Sequence, residues 1–496
     1  MLSDGDYLRN RGVTLGRTVI SAVGWSTGIK VGFQLVTWAM TLAVIRVLKP
    51  DDYGLMAITQ VFVNVMAGFS TIGLGDALVQ QEDTPKPVAA AVFGISLLLS
   101  AGLTALLSLA AYPIATWYHD PRLVLLIQVA SLGFLLNALI TLPRVHLTKS
   151  LRIRPMILIE TSSGLFASVV VLVLAFSGFG VWSLMIGMQV GAVVRLIAFM
   201  AIMSECYVWP SLDLKVIQPL YSFGAYRMLT YLAWLAFTSA DTLILGRFFG
   251  PAELGLYTVA QNFAVMPLNK IAPVINSVAF PAFALVQRHP ADARFYAMKA
   301  MRLMATVSVP VFFGISAIAP EIVDLVFGPG WEAAKPILTV LSLAITFRAI
   351  LIVIPNYLQG IGDARAGFCC TSVGLVLFPP AFLIGCSWGV IGVCYAWLLG
   401  YPIMYAINAW IASRHGRLDF KEQLAMPLSP IGAGVVMLAV VYSVRLYLPV
   451  EASEIVRTAI LVAAGAMTYC SVMFLFFRPL VTEILSLFHV GRVPVA

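Results

Sequence analysis

Seven ionisable side chains fall inside stretches of the chain that are otherwise apolar: Lys30, Glu160, Arg195, Arg227, Asp241, Lys270 and Arg348. Placing one such charge at the centre of a bilayer costs about 2.5–3.5 kcal/mol, so each is expected to face a protein interior, a partner or water rather than lipid. Five are cationic and two anionic, a net charge of +3 for the set. A water-filled cavity lined by Lys30, Arg227, Lys270, Arg348 and Arg195 would accept an anionic substrate. The structural alternative is internal pairing, Lys30 with Glu160 or Arg227 with Asp241. The second pair would sit about 21 Å apart along one straight helix. Arg195 has a further alternative, snorkelling or bonding to neighbouring carbonyls. Asp241, in Ser239-Ala240-Asp241-Thr242, has the chemistry to take a proton or Na⁺. Otherwise it would serve as a partner for Arg247 or in a helix-end hydrogen bond.

The elements that must position these groups are membrane helices. The 496 residues are 60% hydrophobic and 11% charged, with a mean hydropathy of +0.93, more than a soluble core can hide. The first 18 residues are polar, and the apolar run after them is far longer than the core of a cleavable leader, so no cleavage is expected. The six cysteines lie in or beside apolar segments without Cys-x-x-Cys spacing, and the five histidines fall in expected loops or the tail. Neither a metal nor a cofactor is therefore expected.

At about 20 apolar residues per span, the sequence reads as an all-α polytopic membrane protein of about fourteen helices. The first six spans lie at 19–45, 54–78, 88–112, 123–142, 156–177 and 181–203. The remainder lie at 220–245, 255–281, 303–320, 334–357, 367–387, 390–413, 427–446 and 457–478. This organisation divides into an N-terminal segment 1–18, an N-lobe 19–205, a linker 206–219, a C-lobe 220–413, a loop 414–426, two appended helices 427–478 and a tail 479–496. Of the 31 Lys and Arg residues, 19 fall on the side shared by both termini and the even-numbered loops, 7 on the other side and 5 inside spans. The bias predicts both termini in the cytoplasm.

The lobes are expected because the chain repeats. Thr41 to Val63, shifted by 201 positions, lies on Thr242 to Ala264 with eight identities in 23 positions, among them Arg46/Arg247, Pro50/Pro251, Gly54/Gly255 and Gln60/Gln261. Pro ends a helix and Gly tolerates a tight corner, so the shared residues are those a short loop between two spans needs. Six spans per half is an even number, so both halves enter the membrane in the same sense. That is a parallel repeat, which transporters use as lobes rocking about a midplane site.

The runs Val23-Gly24-Trp25-Ser26, Arg46 to Leu55, Gly73 to Gln80, Asp120-Pro121-Arg122-Leu123 and Gly178-Phe179-Gly180-Val181-Trp182 closely resemble the Wzx-like polysaccharide transporters. Asp241 to Arg247 and Gly255 to Gln261, continuing through Pro281, resemble the same family in the second half. The family belongs to the multidrug/oligosaccharidyl-lipid/polysaccharide exporter superfamily. The resemblance implies a V-shaped exporter fold with a central cationic cavity, working by alternating access with some dependence on ion gradients. It implies an inner-membrane flippase, not an enzyme, moving an undecaprenyl-pyrophosphate-linked oligosaccharide to the periplasmic leaflet for exopolysaccharide, capsule or lipopolysaccharide assembly. Membrane lipids, a polysaccharide polymerase and a chain-length regulator are the implied partners, and nucleic acid is not. Pyrophosphate carries charge that Arg and Lys can hold while a lipid tail stays in the bilayer. No motif fixes which cation does so.

Other classes fit less well. Export of another anionic lipid-linked precursor, such as lipid II or a teichuronic-type intermediate, would use the same cavity. A cationic-drug antiporter would want acidic residues where the imbalance is positive. A membrane glycosyltransferase or polymerase would need a large outer loop bearing catalytic carboxylates. The chain also lacks a Gly-Lys-Ser/Thr phosphate loop for ATP.

Overall fold

In the computed structural model the described residues are 32–70, 78, 85–150, 152–203, 208–273, 290–415, 418–448 and 453–478, those at 70, 153, 214–230, 290–292 and 364 by backbone alone. All regular structure among them is helical. The chain divides into two compact units, Met1–Leu229 and Thr230–Ala496.

Unit 1 begins with α1 (Gly32–Val47) and α2 (Pro50–Ser70), whose axes bend by 118° at the corner. Pro50 opens α2, where a missing N–H costs nothing, and Asp51 and Asp52 sit in its positive first turn. The Lys49 N–H donates to Asp52 Oδ2 at 3.1 Å and closes the corner. α3 (Lys86–Tyr118) and α4 (Arg122–Lys149) form a hairpin turned by His119 in the left-handed region at φ 57°. Thr104 Oγ1 of α3 donates to the Ser131 carbonyl of α4 at 3.0 Å. Arg122 then bridges Asp120 and Asp51, each at 2.7 Å, and ties the hairpin to the first corner. Burial alone would push the Asp120 carboxyl up, but the hydrogen bonds and charge of Arg122 outweigh it and hold the group below the usual carboxylate range.

α5 (Ile153–Phe176) and α6 (Val181–Ile202) pack through Gly187-Met188-Gln189-Val190-Gly191. Small residues four apart let two membrane helices approach closely. A methyl group on Gly191 would lie 2.8 Å from Ala167 Cβ of α5. Gln189 of α6 donates to the Val129 carbonyl of α4 at 2.7 Å, joining the pairs.

α7 (Leu214–Val265) is broken at Gly250, with φ 80° and ψ 177°. α8 (Pro290–Ala317) leads into the short α9 (Ala319–Ile322) and a π turn. α10 (Ala334–Leu351) and α11 (Val353–Gly360) follow, then α12 (Ala364–Gly385), capped by Asp363 accepting from the Ala366 N–H at 2.9 Å. α13 (Gly389–His415) starts from the positive-φ corner at Gly389, and α14 (Phe420–Ala425) is a single short helix.

The last pair, α15 (Leu428–Tyr447) and α16 (Glu454–Phe476), packs against α8 through Val309, Phe313, Met437, Val441, Leu461 and Tyr469. Glu321, 8% exposed, accepts from Arg445 at 2.6 Å and lies 3.8 Å from Arg457. The two helices that have no counterpart in the repeat are thus fixed by an apolar seam and a half-buried ion cluster.

Ten helices among the described residues are long and apolar enough to cross a membrane, or eleven if α1 and α2 form one bent span. The sequence reading counted about fourteen. The difference arises where two helices meet at a glycine corner with no loop between them. Tyr231–Pro273 and Arg365–His415 are each one continuous candidate, of 43 and 51 residues, covering two expected spans. Their breaks fall at Gly250 and Gly389, between those spans.

Candidate functional site

A carboxylate inside an apolar core is tolerable only when hydrogen bonds replace its lost water. In unit 2, Asp241 of α7 is fully buried, and donors surround it. Its Oδ1 accepts from the Thr242 N–H at 2.6 Å and from Thr242 Oγ1 at 3.2 Å. Its Oδ2 accepts from Tyr257 Oη at 2.5 Å, Gln261 Nε2 at 2.8 Å and Trp397 Nε1 at 3.1 Å. Trp397 and Gln261 also donate to the Tyr257 oxygen, at 2.8 and 3.1 Å. Tyr257 and Gln261 lie beyond the Gly250 break, one turn apart, so the corner folds the second arm of α7 back onto the acid.

An indole N–H and an amide NH₂ can only donate, an ionised carboxylate can only accept, and the Tyr257 hydroxyl can do either. Oδ2 thus faces two obligate donors and one group able to reverse its role.

The Trp397 ring stacks on Tyr401 at 4.9 Å and 18°; both lie against Phe378, and Trp397 also lies against Phe382. Arg348 of α10 interacts electrostatically with Tyr401. Trp397 and Tyr401 are four residues apart on α13 and share a face. Arg348 and Asp241, both singled out from sequence, are thereby joined through two aromatic residues that sequence reasoning did not select.

Glu160 belongs to a second cluster, in unit 1. It accepts from Arg144 Nη2 at 2.5 Å, while Arg195 donates to Asn137 Oδ1 at 3.2 Å. Arg144 reads in the sequence simply as part of a cytoplasmic basic group. Lys270 is exposed in the helical stretch 268–273. Lys30 lies outside the described residues, and Arg227 is described by its backbone alone within α7. Among the described residues Glu160 pairs with Arg144 and Asp241 is held by neutral donors; the Lys30 and Arg227 side chains, the other halves of the pairs considered, lie outside the described residues.

No group of three or more potential metal ligands occurs among the described residues.

Among known sequences, the family described as "Polysaccharide biosynthesis protein" matches residues 43–336. The succinoglycan biosynthesis transport protein ExoT of Rhizobium meliloti is 26% identical over 429 residues, 86% of each chain. The teichuronic acid biosynthesis protein TuaB of Bacillus subtilis is 24% identical over 404 residues, covering 80% of this chain and 83% of that protein. Among solved structures, the lipid II flippase MurJ in an inward closed conformation superposes with a TM-score of 0.70 at 14% identity, covering 90% of this chain and 98% of that one. That likeness concerns the fold.

Proposed function

The chain belongs to the polysaccharide biosynthesis protein family, and from that premise we propose that it flips an undecaprenyl-pyrophosphate-linked oligosaccharide from the cytoplasmic to the periplasmic leaflet. The reading includes fourteen membrane helices in two six-helix lobes with an appended pair, a V-shaped arrangement, alternating access and both termini in the cytoplasm. A polymerase and a chain-length regulator would take the product onward, and the chain itself would break no bond.

The observation that carries the reading is the way the guanidinium groups of Arg195 and Arg348 are held. Both lie within long apolar helices: Arg195 donates to the neutral Asn137 and has Arg144 and Glu160 beside it, and Arg348 interacts with the neutral Tyr401. Cations that outnumber the acid beside them leave charge for an anionic guest. Lys30, Arg227 and Lys270 would complete the cationic lining.

Asp241 would supply the coupling. Protonation would turn the Tyr257 hydroxyl, the Trp397 ring would shift, Tyr401 would follow, and Arg348 would be released from Tyr401. Binding of the substrate's diphosphate and binding of the proton would then favour each other through one chain of contacts.

A second reading, export of another anionic lipid-linked precursor, is favoured by the likeness to TuaB. Both readings are tested by reconstituting the protein in liposomes with polyprenyl-diphosphate-linked oligosaccharides and measuring their appearance in the opposite leaflet. Movement of a diphosphate-linked oligosaccharide supports the first reading. Movement of lipid II or a teichuronic-type precursor alone replaces it with the second.

A further inference from the structure

Unit 1 carries a polar face that the Asp241 network does not use. On α4, Asn137, Thr141, Arg144 and Thr148 follow at steps of four, three and four residues, which aligns them along one side of the helix. Asn137, Arg144 and Thr148 are exposed. A stripe of this kind on a membrane helix is costly against hydrocarbon and cheap against water or a polar guest.

Two neighbouring helices add to it. Glu160 of α5 accepts from Arg144, and Arg195 of α6 donates to Asn137 while interacting electrostatically with both Arg144 and Glu160. The cluster thus sets two guanidinium groups against one carboxylate. The Arg195 Nε is buried with no hydrogen-bond partner among the described residues. Its hydrogen-bonding capacity is therefore not spent on the fold, although an unsatisfied buried donor has a cost.

The depth is also informative. Arg144 lies five residues before the end of α4, Glu160 seven after the start of α5 and Arg195 seven before the end of α6. All three helix ends are on one side, because α4 leads directly into α5 and α6 returns. The groups sit about 8–11 Å inside those ends, nearer this side of the membrane than the other.

Resting on the flippase reading, we infer that Arg144, Arg195 and Asn137 form a docking site for a lipid-borne phosphate group, and specifically for the diphosphate of an isoprenoid carrier in the cytoplasmic leaflet. Glu160 is the occupant of the empty site: it neutralises Arg144 until the ligand's oxygens replace it. Two guanidinium forks match the several oxygens of a diphosphate better than the single phosphodiester of an ordinary phospholipid.

The test measures binding to the purified full-length protein in detergent, with farnesyl diphosphate as probe and farnesyl monophosphate and phosphatidylglycerol as competitors. Wild type, Arg195→Gln, Arg144→Gln and Glu160→Gln are compared after each is shown to retain its thermal transition. The expected result is about a tenfold loss of affinity for each arginine variant, the size of one charge-assisted contact. Glu160→Gln is expected to bind several-fold more tightly, an effect that misfolding cannot produce. Unchanged binding in Arg195→Gln, or unchanged or weaker binding in Glu160→Gln, would overturn the site. Equal displacement by phosphatidylglycerol would overturn its assignment to the carrier and give it to a resident phospholipid. Because nothing here depends on transport, a protein that binds the probe but flips nothing in liposomes keeps the site and loses the flippase reading.

Discussion

Trp397 reaches across 156 residues of sequence to donate its indole N–H to the Asp241 carboxylate at 3.1 Å, while its ring lies stacked on Tyr401. One side chain thus joins a buried acid to an aromatic stack, and through Tyr401 to Arg348. The chemistry of the acid and the position of the cation are not independent.

Asp241→Asn should be both unstable and uncoupled. An amide NH₂ placed among donors leaves groups unsatisfied at a cost of about 1–3 kcal/mol. Trp397→Phe removes a single donor and should cost about 1 kcal/mol. Thermal unfolding checks both, and flipping by Asp241→Asn should no longer vary with pH. A variant that retained the wild-type pH profile would place the coupling elsewhere.

The appended helices should detach first when Glu321 is changed. Glu321 is 8% and Arg445 17% exposed, so Glu321→Gln leaves a largely buried guanidinium without its acid, a loss of about 3–5 kcal/mol. Glu321→Met with Arg445→Met should recover much of that. Limited proteolysis between residues 448 and 453 would report the detachment.

The α5–α6 interface predicts a graded effect of size. Gly191→Val forces a branched side chain toward Ala167 and should cost about 1–3 kcal/mol. Gly432→Ala on α15, where nothing lies within 4 Å of an added methyl, should be neutral or slightly stabilising by about 0.5 kcal/mol. Equal transition temperatures for both variants would contradict this packing.

Acid should loosen the corner held by Asp120. Its carboxyl is held below the ordinary range by Arg122, so its unfolded value is the higher of the two. The stabilisation is fully present above that unfolded value, about 3.9, and is lost as pH falls through the lower folded value. Asp120→Asn should therefore lower the transition temperature at pH 7 and make progressively less difference below about pH 4. Any pH dependence of flipping between about 5 and 8 should survive Asp120→Asn.

The fold was legible in the sequence where local chemistry decides it. The repeated Pro50/Pro251 and Gly54/Gly255 marked the bend between α1 and α2 and the break in α7. Span counting diverged where two helices meet at Gly250 and at Gly389 with no loop between them. Within the candidate site, Asp241 and Arg348 stood out because charges are expensive in apolar segments. Their partners did not, since Tyr257, Trp397 and Tyr401 resemble any other aromatic residue of a membrane helix until a fold brings them together. One signal was present: the first repeat has Met40 and Met56 where the second has Asp241 and Tyr257, with Gln60 and Gln261 kept in both. Glu321 escaped notice because it lies just beyond an expected span, in the short α9 that turns it inward.

The most direct test is flipping of a polyprenyl-diphosphate-linked oligosaccharide in proteoliposomes by wild type, Arg348→Met and Tyr401→Phe at matched folding. Tyr401→Phe removes the neutral hydroxyl but leaves the cation, and should flip at or above the wild-type rate with an altered pH profile. Arg348→Met removes the charge and should reduce flipping at least about tenfold, the equivalent of one lost charge-assisted contact of about 1.4 kcal/mol. Wild-type rates in folded Arg348→Met would contradict the account, leaving Arg348 a structural partner of Tyr401 and nothing more.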